Sequence, residues 1–311
     1  MPKISVIGAG NVGATLAQRL FEKNLADLVL FDIVEGLPQG KSLDIFQSSP
    51  YYPTSYMIKG TNDYVDTALS DVVLVTAGAT RKPGMTRDEL LAINANIVRK
   101  VVSEVTKYSP NCVLIIITNP VDTMVVLAQE TCGFPQERVF GLSGALDGAR
   151  LASFIALKLG ISAAEVQPFV IGEHGENMVV IPRLTLVQGR PMTEFFSEDE
   201  CVDLSQRTIK GGAEIVGFLK SGSAFYAPAA AAARMVEAVI KDEYLPICAV
   251  AFLNGQYGIR GISCGAPVVI NRGGIAKIQE YTLTESELKA FQVSAQAVSD
   301  TVAKINKISE L

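Results

Sequence analysis

The 311 residues contain one histidine, His174, in the run IGEHGEN with a glycine on either side and two acids beside it. An imidazole titrates near neutral pH, so it can accept a proton from an alcohol or return one to a carbonyl. The glycines leave room for a substrate to approach. A lone histidine is more often structural, so a base also needs a partner. Asp147, in ALDGAR, is a candidate. A carboxylate on one ring nitrogen fixes the tautomer and stabilises the imidazolium formed at the other. The same aspartate also suits the first turn of a helix, where an acid complements the dipole. Arg150 follows three residues later on the same helix face. Its planar guanidinium matches a carboxylate with two parallel hydrogen bonds, although alone it reads equally as a surface ion pair.

A second constellation lies at the start of the chain. GAGNVG (Gly8, Ala9, Gly10, Asn11, Val12, Gly13) follows a short apolar run and opens an amphipathic stretch. Glycines there permit a tight turn, close approach of a pyrophosphate and close helix–strand packing, while the helix N-terminus offers amide donors. Asp32 ends the next apolar run about twenty residues later, at the spacing of an acid that accepts from a ribose hydroxyl pair. A carboxylate there repels a 2′-phosphate and no arginine follows it, so the cofactor expected is NAD rather than NADP. Read as a mere turn residue, Asp32 carries no such preference. RKPGMTR, Arg81 to Arg87, then concentrates three cations around a proline and a glycine in a chain of net charge −5. Such a cluster is ordinarily a solvated loop. Directly after a strand's TAG, at the carboxyl edge of a sheet, it is placed to close over an anion.

The elements that would hold these groups follow from hydropathy patterning. ISVIG, DLVLFD, DVVLVTAG and CVLIIITNP are near-continuous Val/Ile-rich runs suited to strands covered on both faces. Between them, Val12–Lys23 and Arg87–Tyr108 show helical spacing, the second opened by Thr86 and Glu89 as a capping box. The expected fold is α/β, a Rossmann-type doubly wound parallel sheet over residues 1–144. An α+β domain follows over 145–311, with a helix at Asp147–Leu159, mixed strands, a long helical stretch to Lys241, strands to Ile270, and a last helix from Glu285.

Composition excludes several classes. At 49% apolar the chain buries a core, and its acidic balance of 27 Lys+Arg against 32 Asp+Glu argues against a nucleic-acid partner. No apolar run is long enough to span a bilayer, and the opening residues carry no leader pattern, so neither membrane nor export is expected. Five dispersed cysteines without C-x-x-C spacing read as reduced thiols of a cytoplasmic protein, and with one histidine they make no metal shell.

TAGATRKPGMTRDELLAIN, ITNPVD, GLSGALDGAR, GEHG and GSAFYAPAAA, taken with GAGNVG, make essentially the whole chain resemble the lactate/malate dehydrogenase family, and within it the lactate-dehydrogenase-like malate enzymes. The resemblance implies reversible hydride transfer between (S)-malate and NAD, giving oxaloacetate, with His174 as proton acceptor paired to Asp147. It implies Arg150 on the substrate's C1 carboxylate and Arg87 on the reacting carbonyl. Asn119 would contact substrate beside the nicotinamide, and Asn94, Ile117 and Thr118 would contact NAD. It also implies that Arg81 pairs with the second carboxylate of malate or oxaloacetate, where glutamine suits lactate and pyruvate, and that the chain forms a homo-oligomer, a tetramer in preference to a dimer. Small Ala224, where lactate enzymes typically carry threonine, agrees with malate. Glu173 before the histidine, Glu176 after it and INRGG depart from the malate pattern, and Glu173 looks partly lactate-like. The alternative is an L-lactate or broader 2-hydroxy acid dehydrogenase. An NAD-sensing module without turnover is the reading from another class, and the presence of Asp147, Arg150 and His174 together argues against it.

Overall fold

The computed structural model describes residues 1–80 and 84–309. The chain first lays down β1 (Lys3–Ile7), α1 (Asn11–Glu22), β2 (Asp27–Phe31), α2 (Leu37–Gln47), β3 (Ile58–Thr61), β4 (Val72–Val75), α3 (Arg87–Tyr108), β5 (Val113–Ile116), α4 (Val121–Cys132) and β6 (Val139–Gly141). These six strands pair in parallel in the order β3-β2-β1-β4-β5-β6, the doubly wound arrangement expected, with its reversal between β1 and β4. The strand residues alternate between two cores. Ile4, Val6, Leu28, Leu30 and Leu74 face α1 and a later helix, while Ile7, Val73, Val75, Leu114 and Ile116 face α3 and α4. That double covering is why apolar residues dominate these runs.

Helix α3 begins where its capping box predicts. The Glu89 amide donates to Thr86 Oγ1 at 3.1 Å, and the Thr86 amide donates to Glu89 Oε2 at 2.8 Å. Its buried stripe is Leu91, Asn94, Ala95, Val98, Val101, Val102 and Val105. The polar member of that stripe, Asn94, belongs to the site.

The remainder comprises α5 (Gly144–Leu159), the two-residue strands β7 (Val166–Gln167), β8 (Val170–Ile171), β9 (Val179–Val180), β10 (Leu186–Val187) and β11 (Arg190–Pro191), α6 (Glu198–Leu219), α7 (Tyr226–Lys241), and β12 (Leu245–Asn254), β13 (Arg260–Asn271), β14 (Gly274–Ile278) and α8 (Glu285–Ser309). Two features differ from the sequence reading. The long helical stretch to Lys241 is two helices, because Lys220 and Gly222 take positive φ (63° and 82°) and turn the chain between them. The later long strands do not form a separate sheet: β12 lies antiparallel beside β6, and β13 and β14 extend the same sheet to nine strands. Several alanines of α7 are covered by the chain itself. Ala229, Ala232, Ala233 and Ala238 of α7 are at most 1% exposed and fill the core above β1, β2 and β4. Small side chains there let α7 lie close against α1.

Candidate active site

The carboxyl ends of the parallel strands supply the cofactor half of the site. Gly8 leaves β1 at φ +110°, and a Cβ on it would sit 2.7 Å from both the Ala77 amide nitrogen and Thr76 Oγ1, so the β1 and β4 loops touch at the point where the strand order reverses. A Cβ on Gly13 would fall 1.8 Å from the Gly8 carbonyl oxygen. Gly10, the residue preceding α1, has no described atom within 4 Å of such a Cβ. Gly8 and Gly13 are therefore glycine for packing within the protein. The space at Gly10 faces outward at a helix N-terminus with free amides, the surroundings a pyrophosphate requires. Asn11 and Val12 form the first turn of α1, and Val12 lines the cavity below. Asp32 follows β2; its Oδ2 accepts the Ala9 amide at 2.7 Å and its Oδ1 accepts the Val34 amide at 3.0 Å. Those bonds fix the carboxylate beside the cradle and leave it further acceptor capacity for hydroxyls. The Lys41 ammonium on α2 donates to the Ala9 carbonyl at 2.7 Å, a support that the sequence reading did not single out.

Beyond the cradle lies a cavity of about 720 Å³ lined by Asn94, Ile117, Thr118, Asn119, His174 and Arg87, among others. Asn94 braces it from inside: its Oδ1 accepts the Ala79 amide at 2.7 Å and its Nδ2 donates to the Asn119 carbonyl at 3.0 Å. It thereby ties the loop after β4 to the loop after β5. Thr118 Oγ1 donates to the Ala77 carbonyl at 2.7 Å and makes the same connection.

The acid–base half comes from the rest of the chain. Asp147, in the first turn of α5 and 1% exposed, spends one oxygen on each of two cationic partners. Its Oδ2 lies 2.8 Å from His174 Nδ1, and its Oδ1 accepts from the Arg150 guanidinium at 3.0 Å. Of the two readings open for Asp147, the helix-dipole acid accounts for neither contact. Burial lowers the pKa of His174, but the Asp147 carboxylate, joined by Asp122, outweighs it and holds the imidazolium above the ordinary 6.5. Arg150 is not a surface ion pair: its side chain is 13% exposed, and its Nε is buried with no hydrogen-bond partner among the described residues. Room for it comes from adjacent glycines inside α6. A Cβ on Gly211 would lie 3.1 Å from Arg150 Cδ, and one on Gly212 3.3 Å from a guanidinium nitrogen. Glycine inside a helix costs roughly 0.5–1 kcal/mol against alanine, so this pair trades helix stability for space around the guanidinium. A buried guanidinium with an unmet donor suits an anionic ligand.

His174 itself sits in the turn between β8 and β9, near where Gly172 bridges to Gly265 of β13. Its amide donates to Asp122 Oδ2 at 2.8 Å. Glu173, one of the departures from the malate pattern, accepts from Asn177 Nδ2. Arg87 is not brought to the histidine in this structure. It stands at the cavity rim, paired to Glu176 at 3.5 Å with both side chains about four-fifths exposed. Arg81 lies outside the described residues. No group of residues suited to a metal ion occurs among the described residues.

Residues 2–141 match the model of the lactate/malate dehydrogenase NAD binding domain, and residues 144–309 match that of the family's alpha/beta C-terminal domain. The chain belongs to the lactate/malate dehydrogenase family. Among its relatives in that family is a malate dehydrogenase of Dehalococcoides mccartyi, 53% identical over 98% of this chain and 100% of that one. The apo malate dehydrogenase of Picrophilus torridus superposes with a TM-score of 0.95 at 39% identity, covering 98% of each chain. A lactate dehydrogenase of Cryptosporidium parvum solved with lactic acid and NAD superposes almost as closely, with a TM-score of 0.94 at 39% identity and 98% coverage of each. The backbone is therefore common to both branches of the family, and substrate choice falls to individual side chains.

The two kinds of glycine in the cradle separate experimentally. Gly10→Ala should leave the thermal midpoint unchanged and weaken NADH binding, read by fluorescence titration. Gly13→Ala should lower the midpoint as well, since overpacking costs about 1–3 kcal/mol. Unaltered NADH affinity in Gly10→Ala would show that the space there serves no pyrophosphate.

Proposed function

We propose that this chain is an NAD-dependent malate dehydrogenase, reversibly converting (S)-malate to oxaloacetate, with residues 1–144 holding the cofactor and 145–311 the substrate. The observation that carries the reading is the buried Asp147 carboxylate shared by His174 and Arg150 beside the cavity. Bound NAD supplies the hydride acceptor, or as NADH the donor. Its proposed holders are Gly8, Ala9, Gly10, Asn11, Val12 and Gly13 for the pyrophosphate, Asp32 for the adenosine ribose, and Asn94, Ile117, Thr118 and Asn119 around the nicotinamide half.

The chain's own groups divide the remaining work. With Nδ1 held by Asp147, Nε2 of His174 is the nitrogen free to take the hydroxyl proton of malate, and Asp147 stabilises the resulting imidazolium. In the reverse direction the same nitrogen returns the proton to the carbonyl oxygen of oxaloacetate. Arg150 grips the C1 carboxylate and so fixes the distance from C2 to the base. Arg87, carried inward from the rim, polarises the carbonyl and steadies the developing alkoxide. Arg81 pairs with the second carboxylate and selects malate over lactate; Ala224 and the 53% identical malate dehydrogenase favour the same choice. We further propose a cytoplasmic homo-oligomer, a tetramer before a dimer. The five cysteines are all free and no described helix is long and apolar enough to cross a membrane, which is compatible with that location.

His174→Asn should cut turnover by about 10²–10⁴-fold while NADH affinity stays at the parent value. Retention of more than about half the activity removes His174 from the mechanism. Arg81→Gln should lower kcat/KM for oxaloacetate by about 10³-fold, as loss of about 4 kcal/mol implies, and raise it for pyruvate. An unaltered preference for oxaloacetate would leave Arg81 a solvated loop cation.

A further inference from the structure

Three consecutive backbone amides lead to the imidazole, and each is taken by a different element. The Gly172 amide donates to the Gly265 carbonyl of β13 at 2.8 Å, the Glu173 amide to Ser294 Oγ of α8 at 2.7 Å, and the His174 amide to Asp122 Oδ2 of α4 at 2.8 Å. Both side-chain acceptors are 1% exposed. Gly172 takes φ +88°, and a Cβ there would lie 2.6 Å from Ser294 Oγ, so the helix presses directly on this turn.

We propose that Asp122 and Ser294 are positioning residues for the reaction, two buried side chains from α4 and α8 that fix where His174 stands relative to Asp147. The inference rests on His174 being the base.

A neutral asparagine at 122 would satisfy the His174 amide equally well. The carboxylate instead carries a desolvation cost, and its Oδ1 finds no hydrogen-bond partner among the described residues. Burial accordingly pushes its carboxyl up to about 7, although the His174 amide and imidazole both favour the ionised form. When that carboxyl is ionised, its charge bears on the groups nearest it. The ionisable groups around Asp122 are His174 itself, Glu173 on the same turn and the Cys264 thiol of β13. Facing His174 are Asp147 and Arg150 from α5, with Arg87 and Asp88 of α3 and Lys304 of α8 at the cavity wall and Glu176 on its own turn. Of these, Asp147 and Asp122 hold the proton on the ring, and Arg150 opposes them. Asp122 thus acts on His174 twice: its oxygen locates the main chain, and its charge favours the imidazolium.

The test measures malate oxidation against pH in Asp122→Asn and Ser294→Ala, with NADH affinity and thermal midpoint as controls. Oxidation needs neutral His174, so it rises as pH passes upward through the histidine's pKa. Asp122→Asn keeps the acceptor but removes the negative charge, and the midpoint of that rise should move to lower pH. Ser294→Ala should reduce kcat by about tenfold or more, through a displaced base, with NADH affinity unchanged. A pH profile that stays with the parent in a folded Asp122→Asn overturns the role of the charge. If Asp122→Asn does not fold, Ser294→Ala decides alone: a fall in kcat at parental NADH affinity supports the positioning role, and an unchanged kcat overturns it. Failure of the underlying reading is distinct, because His174→Asn would then retain its turnover.

Discussion

Asp147 is a nearly inaccessible carboxylate with a partner on each oxygen, the His174 imidazole on one side and the Arg150 guanidinium on the other. A lone ionised carboxylate at that depth would be strongly unfavourable, and either partner alone would leave an oxygen unmet. Together they make the burial tolerable and tie two side chains to one rigid point. The carboxylate fixes the tautomer of His174 and the place of the Arg150 guanidinium relative to it, from the first turn of α5. Three glycines make room for this arrangement. Gly144 lets α5 start hard against Val170 and Cys248, where a Cβ would fall 2.4 Å from either, and Gly211 and Gly212 clear the space that Arg150 occupies.

The cofactor half depends on a different constraint, the close approach of chain segments at the strand ends. Loops after β1, β4 and β5 converge on one edge because parallel strands all deliver their carboxyl ends there. Asn94 and Thr118 then lock two of those loops together with bonds to backbone groups. The histidine turn is brought against this edge by β13 and α8, so His174 and the loops after β4 and β5 line one cavity although they lie far apart in the chain.

Legibility in the sequence followed the range of the interaction. The capping of α3 was readable because Thr86 and Glu89 are neighbours on one turn, and the cradle because its glycines and Asp32 obey local spacing. Asp147 and Arg150 were readable as a pair on one helix face. Asp122 and Ser294 were not, since a buried carboxylate in α4 and a serine in α8 acquire meaning only when a turn between them in sequence folds against both. Gly211 and Gly212 carry no local signal, because the Arg150 side chain they make room for comes from another helix. The joining of β12, β13 and β14 to the first sheet was hidden for the same reason, because strand patterning reports which faces are buried and says nothing of the partner strand. Arg81 is the reverse case, assigned from the family resemblance and lying outside the described residues.

Because His174 is the only histidine, its ring can be observed by ¹⁵N NMR without any assignment step. A pH titration of the parent and of Asp147→Asn reads the pKa and the tautomer of that ring directly. The shared carboxylate predicts a parent pKa above the ordinary 6.5, with the proton of the neutral ring on Nδ1, and a lower pKa in Asp147→Asn. A parent ring that titrates at or below 6.5, or one indifferent to the substitution, would contradict the account.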